Sequence, residues 1–210
     1  MIVILDYEAG NLASVKRALD HLGYRSIITS EPEEAIKGTS LIFPGVGAAG
    51  EAMKCLRRKG LDHVLKEFYF SGRPMLGICL GIQLIFEESE EDGAEGLGLL
   101  KGKVVRFPEP LFGTQGQRLK VPHMGWNAVR KVKDHPLLEG IEEGQEFFFV
   151  HAYYPVPESG EVTIGITEYG VEFCSVIAHL NLLAVQFHPE KSGRPGLRIL
   201  DNFCRISSKC

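Results

Sequence analysis

Cys79 stands in the stretch "PMLGICLGIQLIF", residues 74–86, where glycines sit two positions before and two after the thiol. The form Gly77-Ile78-Cys79-Leu80-Gly81 suits a sharp turn from a strand into a helix. Missing Cβ atoms let the chain pass closely there and leave the nucleophile exposed at the turn. A helix N-terminus beneath it favours thiolate over thiol. The pattern alone fits a small buried cysteine equally well, the usual fate of a free cysteine. A companion base has to decide between the two. Of seven histidines, His188 is the one placed for it. "AVQFHPE" is an apolar strand ending in His188-Pro189-Glu190. Pro189 keeps His188 out of the helical region, and residues two apart in an extended segment point the same way. Glu190 then accepts the imidazole N–H and leaves the other ring nitrogen for a thiol. That is the nucleophile–base–orienter arrangement of acyl transfer.

Acyl transfer also develops an oxyanion, which needs N–H donors. The amide of Leu80, next after the nucleophile, is one. The glycine-rich "FPGVG", Phe43–Gly47, is another candidate, or else an ordinary turn. It lacks the Lys-Ser/Thr and the longer spacing of a phosphate loop.

The elements around these residues alternate. Strands are expected at Ile2–Leu5, 25–29, 40–47 and 73–78, and helices at Leu12–Leu22, 31–38, Ala48–Tyr69 (broken near Gly60) and Leu80–Glu88. This rhythm implies right-handed βαβ units and a mainly parallel sheet. Beyond Gly93, "GKVVRF", "EFFFVHAYYPV", "VTIGITEYG", "FCSVIAH" and "LLAVQFHPE" read as strands, richer in antiparallel pairing, and Gly196–Ile206 closes as a helix. The expectation is one α/β domain over residues 1–210, with a mostly parallel sheet and an antiparallel extension.

Composition narrows the function. Twenty-three basic and 27 acidic residues give a net charge of −4, with no basic run to serve as a nucleic-acid footprint. No apolar stretch reaches membrane-spanning length. Five cysteines without paired or metal-type spacing, and no secretory leader, point to reduced thiols in the cytoplasm. Neither a metal nor a cofactor is called for. Cys204 and Cys210 read as exposed or partly buried thiols.

"PMLGICLGIQLIF" and "QFHPEKS" together resemble the nucleophile and His/Glu motifs of the class I, triad-type glutamine amidotransferase family. "DYEAGNLASV", "PGVGAAGEAM", "VPHMGWN" and "FFFVHAYY" narrow the resemblance to the amidotransferase subunits of histidine biosynthesis. The matches run from residue 6 to residue 193. The resemblance implies a three-layer, flavodoxin-like fold and a Cys79/His188/Glu190 triad that hydrolyses L-glutamine through a glutamyl thioester. Gln83, Glu91 and the backbone at Ala152 and Tyr153 would hold the substrate. Val46 and Gly47 would form an oxyanion strand that reorients before it donates. The implied partner is a (β/α)8-barrel cyclase that receives ammonia, docked at Asn11, Trp126, Asn127 and Lys191, with a core position for the lone tryptophan as the alternative. Glu8 stands where the family usually has glycine, near that face. Residues 110–117 read as a surface loop extension. Another synthase's amidotransferase subunit, a stand-alone γ-glutamyl hydrolase and an inactive scaffold remain as alternatives.

Overall fold

A computed structural model describes residues 1–208. Cys210 lies outside the described residues. The first half alternates as its hydrophobic pattern requires: β1 (Ile2–Leu5), α1 (Leu12–His21), β2 (Ser26–Thr29), α2 (Pro32–Ala35), β3 (Ser40–Gly45), α3 (Ala49–Lys59), α4 (Leu61–Phe70), β4 (Met75–Cys79) and α5 (Leu80–Leu84). The long helical stretch divides at Gly60, whose φ of 70° ends α3 in the left-handed region that glycine enters without a Cβ penalty. The second half adds β5 (Glu88–Ser89), β6 (Gly102–Arg106), β7 (Leu111–Phe112), β8 (Arg118–Leu119), β9 (His123–Ala128), β10 (Arg130–Lys131), β11 (Glu146–His151), β12 (Tyr153–Pro157), β13 (Thr163–Glu168), β14 (Glu172–His179), β15 (Leu182–Val185) and α6 (Gly193–Ser207).

Among the described residues the central sheet has eight strands in the order β10-β13-β14-β15-β4-β3-β1-β2. The strands from β15 to β2 pair in parallel, and β14, β13 and β10 extend the sheet antiparallel. Every residue of β1, β3 and β4 is buried, as a sheet covered on both faces demands. Alternation along β1 sends Val3 and Leu5 into one core layer and Ile2 and Ile4 into the other. Helices α3 and α4 cover the first face and α1 and α6 the second. The carboxyl end of β4, where Cys79 sits, lies between β3 and β15. Such strand ends are where doubly wound sheets bind ligands.

Four local expectations change. The helix expected over Leu80–Glu88 stops at Leu84. Carbonyls of Leu84, Ile85 and Phe86 turn to the amides of Leu97, Leu99, Leu100 and Gly98 instead of continuing the helix. "EFFFVHAYYPV" is two strands, β11 and β12, which part at Ala152 to join different partners, β9 and β6. "VPHMGWN", with no strand expected, forms most of β9. Residues 110–117 belong to a small ribbon, β7 with β8, pinned by buried Leu111. Cys204 is also a correction. It is buried on α6, and burial pushes its thiol up to about 12.

Gly77 and Gly81 serve close packing rather than unusual backbone angles. A Cβ on Gly77 would come within 2.9 Å of the Gly81 carbonyl carbon and of the Phe43 ring, and one on Gly81 would collide with the Phe43 carbonyl oxygen. Gly81→Ala is therefore expected to destabilise the fold by about 1–3 kcal/mol through overpacking. Thermal melting checks this, and an unchanged Tm would show that the turn tolerates a methyl group.

Candidate active site

Cys79 carries the strain of the β4–α5 turn. Its φ of 55° and ψ of −102° are sparsely populated for a residue with a Cβ, a cost of about 1–3 kcal/mol that surrounding packing must hold in place. The side chain is 5% exposed. Its sulfur lies 3.8 Å from the Val150 carbonyl oxygen and 3.9 Å from the Gln186 amide nitrogen.

His188 reaches the site from the chain that leaves β15. The strand expected to run to residue 190 ends at Val185. His188 keeps extended angles, φ −99° and ψ 95°, and Pro189 opens a short 3₁₀ turn to Lys191. The amide of His188 donates to the Phe148 carbonyl at 2.9 Å, so β11 fixes the backbone. Its Nδ1 donates to Glu190 Oε1 at 2.8 Å, with both side chains almost fully buried. The expected pairing stands, although Glu190 reaches it from the 3₁₀ turn and not from a strand. Ring Nε2 is buried and has no hydrogen-bond partner among the described residues. Burial by itself pulls the imidazolium down. The Cys79 sulfur and the Glu190 carboxylate overcome it and raise the ring to about 9. The geometry shows no aligned bond from Nε2 to sulfur, so the attraction is that of close, incompletely oriented groups.

A cavity of about 210 Å³ opens beside the thiol, lined among others by Val46, Gly47, Leu80, Gln83 and Glu91. His151, Ala152 and Tyr153 close its other side. It is smaller than the usual drug-sized pocket of about 300–1,000 Å³, a volume suited to a small amino-acid-like ligand. All the residues read from the sequence as substrate-holding or oxyanion-forming thus meet at one opening. Gln83 Nε2 donates to the Tyr153 carbonyl at 2.9 Å and to Gln186 Oε1 at 3.3 Å. Glu91 Oε2 accepts the first amide of α3, Ala49 N–H, at 2.7 Å. Burial holds its pKa above the usual carboxylate value. Gly47 has φ 103° with open space where a Cβ would be, a left-handed backbone conformation that glycine adopts without a Cβ penalty.

Of the docking candidates, Trp126 is 54% exposed and crosses the Phe148 ring at 70°, which removes the core alternative. Asn11 and Lys191 are exposed, and α1 and β11 both pack on the Pro189–Lys191 turn. Asn127 turns inward instead. Its amide donates to the Glu168 carbonyl at 2.9 Å and meets His123 Nε2 at 3.3 Å. Glu8, at φ 65°, bridges Arg58 and Lys59, each at 3.0 Å, and ties the β1–α1 loop to the end of α3. Sequence reasoning missed Gln186, two residues before His188, and the buried pair His123 and His151. The apolar context of the "VPHMGWN" and "FFFVHAYY" segments was the one available signal.

A family model described as glutamine amidotransferase class-I matches residues 3–206. Among solved structures, one described as a glutamine amidotransferase covers 99% of this chain and all of its own at a TM-score of 0.72 and 21% identity. PurLQS from Thermotoga maritima covers 98% of this chain and 97% of its own at 0.75 and 16%. At such identities these two establish the fold alone. Imidazole glycerol phosphate synthase subunit HisH of Nitratidesulfovibrio vulgaris strain DP4 is 50% identical over 209 residues, 100% of this chain and 98% of that protein. The HisH subunit of Sulfurimonas denitrificans is 50% identical over 206 residues, 98% of each. The chain belongs to the class-I glutamine amidotransferases and, within them, to the family of these HisH subunits.

Two outcomes follow from the site. Glu190→Gln removes the charge that orients His188 and should lower kcat by about 10²–10⁴-fold with little change in KM for glutamine. Steady-state kinetics check it, and wild-type kcat would remove Glu190 from the site's work. Acid stability follows from the two missed histidines. Burial lowers His123 to about 4 and His151 to about 3. The unfolded chain therefore takes up these protons first. Their contribution is whole above about pH 6.5 and drains away as pH falls toward 4, about 1–2 kcal/mol per ring between pH 6.5 and 5. His188 is raised, so its contribution is already complete below 6.5 and does not change in this interval. Urea midpoints should fall between pH 6.5 and 5, and a flat profile would contradict the buried neutral rings.

Proposed function

We propose that this chain is the glutaminase subunit of an imidazole glycerol phosphate synthase, with Cys79, His188 and Glu190 as its catalytic residues. The observation that carries the reading is the convergence of a strained, cavity-lining thiol with a buried His188–Glu190 pair. The Cys79 sulfur attacks the side-chain amide carbon of L-glutamine, and the thiol proton passes to His188. The carbonyl oxygen becomes an oxyanion facing the Leu80 amide and, once its peptide turns, the Val46–Gly47 segment. Collapse expels the nitrogen, which His188 protonates as ammonia leaves. Water, deprotonated by His188, then cleaves the thioester and releases glutamate and the thiol. Gln83 and Glu91 hold the substrate's polar end, together with the backbone at Ala152 and Tyr153.

Ammonia set free in neutral water becomes ammonium, which is no nucleophile. A productive glutaminase therefore passes it directly to an acceptor site. That the relatives at 50% identity are named as subunits of a synthase supports an acceptor site on a partner chain. The reading takes that partner to be a (β/α)8-barrel cyclase binding a phosphorylated aminoimidazole precursor. It docks on the face carrying exposed Trp126, Asn11 and Lys191, since a large exposed aromatic is the usual anchor of an interface. The cytoplasm is the compartment proposed, where buried reduced thiols such as Cys55, Cys174 and Cys204 persist.

The test is glutamine hydrolysis with and without the cyclase and its nucleotide-like ligand. Activity should be weak alone and rise at least about tenfold in the ligand-bound complex, the size of a modest coupling free energy. Cys79→Ser should abolish it while leaving partner binding intact. Equal rates with and without partner would favour the stand-alone hydrolase.

A further inference from the structure

Between the surface strand β9 and the glutamine pocket lies a hydrogen-bond chain whose direction the chemistry determines. The Tyr153 carbonyl can only accept, and His151 Nδ1 lies 2.8 Å from it. That nitrogen therefore carries the proton. Burial keeps the His151 ring neutral, so its Nε2 is bare and needs a donor. The atom opposite, at 3.1 Å, is His123 Nδ1, which must then hold the proton of its own neutral ring. His123 Nε2 is left bare in turn, and the Asn127 amide nitrogen stands 3.3 Å away. The orientation of that amide is set independently, because Asn127 Oδ1 accepts from Ala128 N–H at 2.8 Å. Each proton between Asn127 and Tyr153 has one possible place. The His123 ring is held by stacking on Tyr169, with centroids 4.0 Å apart, and on Phe149 at 4.9 Å.

The Tyr153 carbonyl is shared. Gln83 donates to it as well, and through Gln186 the connection continues toward Cys79. We infer that His123 and His151 are positioning residues for the glutamine pocket, a fixed-direction relay that holds the Tyr153 carbonyl, and so Gln83, in register with strand β9. The role deepens the glutaminase reading and rests on it. Neither ring is asked to exchange a proton with substrate. A displacement of the His123 ring on β9 reaches Gln83 through three hydrogen bonds, His123 to His151, His151 to the Tyr153 carbonyl and Gln83 to the same carbonyl.

The test has two arms. In the first, ¹⁵N NMR of the imidazole nitrogens in the wild-type chain should show His123 and His151 both protonated at Nδ1. Protonation at Nε2 in either neutral ring overturns the relay, whatever the chain's activity. In the second, glutamine hydrolysis by the complex with its cyclase is measured for wild type, His123→Phe and His123→Asn, each shown folded by melting. His123→Phe keeps the stacking and loses the bonds. It should raise KM for glutamine about tenfold, the value of a broken buried hydrogen bond, with a smaller change in kcat. His123→Asn, which can still donate toward His151, should recover much of that loss. In a Gln83→Ala background the His123→Phe effect on kcat/KM should largely vanish. An unchanged KM in folded His123→Phe, or an effect of the same size in both backgrounds, overturns the inference. An inactive wild-type complex would instead count against the glutaminase reading and leave the NMR arm to decide the relay.

Discussion

The rest of the site depends on the steric constraint at the end of β4. The chain must turn from strand to helix within one residue, and the residue that absorbs the turn, Cys79, has a positive φ. The turn can be that tight because Gly77 and Gly81 press against each other and against Phe43 of the neighbouring strand β3. Backbone strain of this kind persists only where packing over-determines it. Here the packing is two parallel neighbours, β3 and β15, and a fully buried strand between them. The sulfur's position is therefore a property of the sheet, and a loop is not asked to hold it.

That constraint explains why the other site residues come from distant segments. β3, directly beside β4, carries Gly45 opposite Cys79 and then releases the chain into Val46 and Gly47. β15, on the other side, ends at Val185 and sends Gln186 and His188 across the same strand end. The antiparallel additions finish the pocket, with β11 and β12 parting at Ala152 so that His151 and Tyr153 line it. Glu91 both lines the cavity and accepts the first amide of α3, the helix that follows the Val46–Gly47 turn. A displacement of its carboxylate by a ligand would be felt at that turn through a single hydrogen bond.

The parallel half of the fold was legible because all its strands but the edge strand β2 are buried on both faces and its helices end near glycine. Those are local signals, and Gly60 and Gly23 marked their helix ends nearly to the residue. The three candidate catalytic residues were legible because the glycines around Cys79 report a close chain approach at the turn and the proline after His188 reports a backbone restriction. What escaped was decided by distant partners. α5 stops early because the amides of residues 97–100 claim the carbonyls of Leu84, Ile85 and Phe86, and nothing within residues 80–88 signals that. β9 has the exposed Met124 and Trp126 on one side and buried His123 on the other, a poor strand pattern until β11 pairs with it.

The buried histidines show the same limit at the level of chemistry. His123 and His151 sit in apolar, aromatic-rich segments, where a sequence reading assigns packing. In the folded chain they do pack, against Phe107, Phe149 and Tyr169, and they also use all four ring nitrogens. A purely apolar pair would fill this volume without the cost of burying polar atoms. Two rings whose donors and acceptors fit in one order contribute orientation as well as contact. They tie the Tyr153 carbonyl to β9 at a distance and direction that apolar packing does not specify. His188 has the opposite electrostatics, raised where these two are lowered, because a carboxylate and a sulfur face it. The same side chain thus meets two environments in neighbouring positions of one fold, one beside a carboxylate and a thiol and one among aromatic rings, and only the neighbours differ.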